Sequence, residues 1–230
     1  MTLHSRPELP GVGRLSAELW DIQLGLTTAM TVPPGLWNIT IGSASDRPFA
    51  SGEEWTADVT WAIGAPFLIG FINWQNNRDW LNGLPIPGAA LRAKQGNWFT
   101  AVAGFPYSAI GWRPVKQWEL AASYEFPRTI YTQIRYRPTD SLKLFAGFEW
   151  DNQRYFRHDR EDRNDRLWYV EKRLVGGVRW DLSEHGFLEA FAGYAFDRFW
   201  FEGHTYEDRH DCRIDIGDGP FAGVQFGLRF

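Results

Sequence analysis

The chain has 230 residues and a formal net charge of −4, which argues against a domain built to neutralise nucleic-acid phosphates. Its single cysteine, Cys212, excludes an internal disulfide scaffold, and no run reaches the roughly 20 apolar residues of a helical membrane span. Aromatic residues make up 17% of the chain and include 13 tryptophans, a residue enriched at membrane–water interfaces and in sugar sites. Any membrane crossing would have to be made by strands.

Residues 1–14 read as an N-terminal tail, and 15–230 as one domain. The opening MTLHSRPELPGV lacks the apolar core of about 7–15 residues found in a secretory signal, so an exported protein would require a longer start than this one. From Trp20 onward the dominant signal is apolar–polar alternation with a period of two, the mark of a half-buried strand. Trp20, Ile22, Leu24 and Leu26 alternate with Asp21, Gln23, Gly25 and Thr27. Trp55, Ala57, Val59, Trp61 and Ile63 alternate with Thr56, Asp58 and Thr60. Shorter candidates lie at Trp37–Ile41, Phe67–Trp74, Ala89–Lys94, Trp98–Ala103 and Ser108–Trp112.

The pattern is strongest over five later runs. Trp118, Leu120, Ala122 and Tyr124 oppose Glu119, Ala121, Ser123 and Glu125, and Ile130, Thr132, Ile134 and Tyr136 oppose Tyr131, Gln133, Arg135 and Arg137. Leu142, Leu144, Ala146, Phe148 and Trp150 oppose Lys143, Phe145, Gly147, Glu149 and Asp151. Leu174, Gly176, Val178 and Trp180 oppose Arg173, Val175, Gly177, Arg179 and Asp181. Leu188, Ala190, Ala192, Tyr194 and Phe196 oppose Phe187, Glu189, Phe191, Gly193 and Asp197. With the closing run at 220–230 there are thirteen candidates. Single-chain bacterial barrels have an even number of strands, so the expectation is about 12, within 10–14. Loop lengths also alternate: Glu202–Gly219 and Asn152–Asp165 are long, Leu182–Gly186 and Pro138–Asp140 short.

One face therefore collects Glu119, Glu125, Arg135, Arg137, Lys143, Glu149, Arg173, Arg179, Asp181, Glu189, Asp197 and Arg229. In a confined lumen such charges must pair or reach water, because an isolated buried ion costs several kcal/mol or more. Paired, they would fill the lumen; unpaired around open water, they would line a pore. Mixed signs give no simple ion selectivity. Glu207, Asp208, Asp211, Asp215, Asp218, His204 and His210 crowd the last long loop without the order of an EF-hand, and read as a solvated loop rather than a metal site. The mixed-charge run Arg157–Arg166 reads the same way. None of His4, His158, His185, His204 or His210 sits in a local Asn-His-x-Ser setting, so the chain does not read as a lipid-modifying enzyme, and no cofactor is implied.

The last ten residues alternate without a break and end on an aromatic. Val224, Phe226, Leu228 and Phe230 resemble the C-terminal strand signal of outer-membrane barrels, which implies recognition by the barrel-assembly machinery. Leu84–Gly88, Gly104-Phe105-Pro106, Trp112-Arg113-Pro114, the stretch from Asp162 through Asp165-Arg166-Leu167-Trp168-Tyr169-Val170-Glu171-Lys172-Arg173, and Gly193–Phe199 together resemble a family of uncharacterised outer-membrane β-barrel proteins, known as a domain of unknown function. That resemblance implies fold and compartment but transfers no catalytic residues.

The sequence thus predicts an all-β protein: a single closed antiparallel up-and-down transmembrane barrel of the bacterial outer membrane. Lipid would lie outside and a charged lumen within, and the protein would act as a narrow channel for a small solute or as a structural or docking barrel. The competing expectation is a soluble secreted barrel or sandwich that binds a carbohydrate or apolar ligand, with the apolar stripe turned into a core.

Overall fold

The computed structural model describes residues 8–9, 13–14, 18–210 and 212–228. Within the segment read as a tail, Glu8–Leu9 (β1) pairs antiparallel with Gly13–Arg14 (β2). The main sheet then follows chain order: β3 Trp20–Thr31, β4 Pro34–Ser45, β5 Trp55–Gly64, β6 Leu68–Gln75, β7 Ile86–Gln95, β8 Phe99–Phe105 and β9 Tyr107–Val115. It continues through β10 Trp118–Glu125, β11 Thr129–Tyr136, β12 Leu142–Tyr155, β13 Arg166–Asp181, β14 Gly186–Gly203, β15 Arg213–Ile216 and β16 Gly219–Leu228. Each of the thirteen alternating runs is a strand.

Two expectations are corrected. The sheet has 14 strands, the upper end of the expected 10–14 and two more than the central value of twelve, because β15 forms inside the segment Glu202–Gly219 that reads as loop. Its four residues, Arg-Ile-Asp-Ile, alternate for only two repeats, inside a segment otherwise rich in polar loop residues. The sheet is also not closed into a barrel: the strand order runs from β3 to β15 without returning, and β16 pairs with β14. The long strand β14, 18 residues, accommodates both, with β16 matched to its Gly186–Ala195 portion. Alternation fixes the two faces of each strand, whereas closure depends on tilt and stagger accumulated over all strands, which no single run encodes. Arg229, expected in the charged lumen, and Phe230, expected to end the C-terminal strand signal, lie outside the described residues.

The chain divides into two compact units. The first comprises Met1–Ala89, Asn152–Val170 and Phe199–Ile216; the second comprises Ala90–Asp151, Glu171–Arg198 and Gly217–Phe230. The first unit holds the apolar core. Leu19, Ala44, Tyr155, Leu167, Tyr169 and Trp200 form a buried cluster, against which Ile214 and Ile216 of β15 pack. Trp168 and Phe201 stack at 5.3 Å with Tyr206 edge-on, and the Trp168 indole donates to the Gly203 carbonyl at 3.0 Å. Here both faces are buried: every residue from Arg166 to Val170 is buried, and so is every one from Phe199 to Gly203. A strand enclosed on both faces reads as a continuous run rather than an alternating one, as Leu167–Val170 and Phe199–Phe201 do.

In the second unit the pleat keeps its two faces distinct. Across β10, β11 and β12 one face is built of rows such as Leu120–Ile134–Ala146 and Ala122–Thr132–Phe148, while Glu119, Arg135, Gln133 and Phe145 fall on the other. The polar face interleaves glycine with phenylalanine across neighbouring strands. Phe187 opposes Gly227, Phe191 opposes Gly223 and Phe221 opposes Gly193. A Cβ at Gly227, Gly223, Gly193 or Gly177 would meet the ring of Phe187, Phe191, Phe221 or Phe145 at 2.1, 2.5, 2.7 and 2.6 Å respectively. The missing side chain is the space each ring occupies, an aromatic cover over strand glycines.

Gly193 is the tightest of these against backbone, since its Cβ would also lie 2.1 Å from the Leu174 carbonyl oxygen. Gly193→Ala is expected to destabilise the fold by about 1–3 kcal/mol, the usual range for overpacking. Gly111→Ala, with nothing within 4 Å of the added carbon, should be close to neutral. The urea midpoints of the two variants check this; equal midpoints would remove the steric role assigned to the glycine.

Candidate functional site

The polar face of the second unit gathers most of the charges that the alternation predicts. β10–β11 pairing sets Glu119 directly opposite Arg135. Glu119 Oε2 accepts from Arg137 at 2.5 Å and from Arg113 at 2.9 Å, and Oε1 lies 3.2 Å from Arg135, so one carboxylate serves three guanidiniums. Arg135 also donates to Gln133. Asp181 is shared by Lys143 and Arg179, and Arg179 reaches Glu189 at 3.8 Å. Arg173 bridges Glu149 at 2.6 Å and Glu171 at 3.3 Å. These groups sit beside a polar cleft of about 420 Å³, whose lining includes Arg135, Arg137, Lys143, Arg179 and Glu189. The Arg179 guanidinium lies 3.5 Å over the Phe187 ring, fixed by a cation–π contact as well as by its acids.

Three predicted members stand apart. Glu125 ends β10 opposite Thr129 and Tyr107, six positions along the strand from Glu119. Asp197 leaves the alternation: its φ of 50° marks a break in β14, and its carboxylate accepts from Lys172, whose ammonium lies 4.9 Å over Trp150 of the apolar series. Arg229 lies outside the described residues. The sequence reading missed Arg113, Glu171 and Arg198, which reaches Glu171 at 3.8 Å. Arg113 was legible, since extending the Ser108–Trp112 run by one residue places it on the polar face. Of the residues that resemble an assembly signal, Val224 and Phe226 are exposed on β16, Leu228 is the last residue of that strand, and Phe230 is undescribed.

The first unit brings several loops together around buried charge. Arg157 donates to Glu202 at 2.5 Å, with both side chains nearly inaccessible, and also meets Asp159 at 2.9 Å. A 3-10 turn at Gly52–Glu54 is closed by a reciprocal capping box, in which Ser51 N–H donates to Glu54 at 2.8 Å. Glu54 Oε1 also meets His158 Nδ1 at 2.9 Å. Arg166 is buried and bound by oxygens of Asn76, Asn77 and Asn164. Thus most of the run Arg157–Arg166 is exposed, as a solvated loop would be, while Arg157 and Arg166 at its two ends are buried structural cations.

In the last long segment, Asp208 accepts from the Thr205 amide, Glu207 from Arg209 and Asp215 from Arg213. Among the described residues no three His, Cys, Asp or Glu side chains gather into a metal-binding group. No protein family, curated protein or solved structure matches the chain.

Burial pushes the Glu54 carboxyl up, but the contacts from His158 and the Ser51 amide outweigh it and hold the group below its ordinary value of 4.5. A carboxyl whose folded value is depressed stabilises the fold fully above the unfolded value and loses that contribution as pH falls through the folded one. Hydrogen exchange of the Ser51 amide should therefore accelerate as the pH drops below about 4.5, beyond the intrinsic change, and Glu54→Gln should abolish that pH dependence. Unchanged protection across that window would show that Glu54 does not hold the turn.

Proposed function

We propose that the protein belongs to the outer membrane of a bacterial envelope, where the apolar face of its sheet meets lipid acyl chains and its ion-paired face serves as a structural or docking surface. The observation that carries this reading is the inverted exposure of the second unit. Ile110, Leu120, Ile134, Leu144, Leu174 and Leu188 are all more than a third exposed, whereas Glu119 and Asp181 on the opposite face keep only 18% of their side-chain surface. A soluble sheet buries its apolar series and wets its charges.

The ends of the apolar band support the same reading. Trp112, Trp118 and Tyr136 lie towards one end of β9–β11, with the Trp118 and Tyr136 rings 4.8 Å apart, and Tyr107, Tyr124 and Phe126 lie at the other. Aliphatic rows separate the two. Amphipathic rings at both borders of an aliphatic band are the chemistry of a membrane interface. A soluble carbohydrate-binding protein would instead need the apolar series enclosed. Because hydrocarbon offers no hydrogen bonds, the reading also requires the backbone groups at the sheet edges to find partners within the membrane. The reading assigns no catalytic role. Extensive pairing of the charges favours a filled polar face over an open pore.

A charge placed in the middle of the band tests this. Ile134→Arg should cost about 2–4 kcal/mol of folding stability in lipid, while Val115→Arg at a strand end should cost about 0–1. For a water-exposed surface both changes would fall within about ±0.5 kcal/mol. Urea unfolding in phospholipid vesicles separates the two cases, and equal small effects would sink the membrane reading.

A further inference from the structure

The polar cleft of the second unit carries more positive charge than its own carboxylates neutralise. Arg135, Arg137, Lys143 and Arg179 line it with one acid, Glu189. Among the described residues, including the groups bonded to them gives five cations (Arg113, Arg135, Arg137, Lys143, Arg179) against three carboxylates, Glu119, Asp181 and Glu189. The adjoining Arg173–Glu149 pair is neutral and leaves the excess of two unchanged.

Donor capacity is in surplus as well. Each guanidinium offers five N–H groups, and the two oxygens of Glu119 divide themselves among three of them. Among the described residues, the buried Arg137 Nε has no hydrogen-bond partner. Cations held in a part-buried cleft without matching counter-charge are costly unless an anion joins them. Several arginines converging on one space form the donor geometry that suits phosphate oxygens, which they bind as paired, charge-assisted hydrogen bonds.

We propose that this cleft binds a small soluble phosphate-type dianion or polyanion, a phosphate ester or pyrophosphate, with Arg135, Arg137, Lys143 and Arg179 as its ligands. A volume of about 420 Å³ admits such a ligand. The site does not depend on the membrane reading, since it is built from the face opposite the apolar band.

The test is calorimetric titration of the full chain, held in neutral detergent, with pyrophosphate at constant ionic strength. One saturable site is expected. Arg137→Gln leaves Glu119 paired with Arg113 and Arg135, so the fold keeps its contacts while affinity drops by about tenfold or more. Glu189→Gln removes the acid that lines the cleft and should tighten binding several-fold, a gain that unfolding cannot imitate. Arg213→Gln, at a pair in the first unit, should leave affinity unchanged. Absence of saturable binding at millimolar pyrophosphate, full affinity in Arg137→Gln, or failure of Glu189→Gln to tighten would each overturn the proposal. If phosphatidylglycerol titrated into the same micelles bound saturably while pyrophosphate did not, the ligand would be a lipid headgroup and the soluble assignment would fail.

Discussion

The pleat of the β-strand governs the chemistry of the second unit. Successive side chains must point to opposite faces, so once Leu120, Ile134 and Ala146 share a row, Glu119, Arg135 and Phe145 have no choice but the other face. Charge is thereby concentrated on one surface, and like charges directly opposite one another would repel. Register resolves the conflict by setting Glu119 across from Arg135, with Arg113 and Arg137 reaching the same carboxylate from nearby positions. The pairs are part-exposed, so their worth lies less in stability than in fixing which strand neighbours which.

Packing on that same face depends on absence as much as on presence. Four glycines leave room for four phenylalanine rings, and each ring covers a strand position where backbone would otherwise stand open. Arg179 in turn rests on Phe187, which occupies the space beside Gly227. A guanidinium in the cleft is thus positioned by a glycine two strands away, through the ring between them. Electrostatics and sterics cannot be separated here: filling the glycine would move the ring, and the ring carries the cation.

The first unit follows a different rule. Where β13 and β14 are enclosed on both faces, alternation disappears and the sequence becomes continuously apolar and aromatic. Buried charge is handled there by dedicated partners. Arg157 has Glu202 and Asp159, and Arg166 is satisfied by carbonyl and amide oxygens. Removing a partner from a buried pair of this kind costs far more than breaking an exposed one, because the remaining ion stays desolvated.

Strands and their faces could be read locally, since a period of two is a property that Leu142–Trp150 or Leu188–Phe196 displays within a single run. The same pattern also placed most of the charge network, because strand period assigns every second residue to one face whichever strand comes next. The remainder depended on how distant parts of the chain come together. Whether the first and last strands meet depends on stagger summed over the whole sheet, and the sheet is not closed. The left-handed residue Asp197 shifts the face of its own side chain by a backbone rotation that the alternation of its neighbours conceals. β15 alternates for only two repeats, and what holds it is that Ile214 and Ile216 pack against the aromatic core of the first unit. The cleft arises from side chains brought together by strands up to about ninety residues apart, Tyr131 on β11 and Gln225 on β16 among them, and no local pattern reports a gathering made by register and packing.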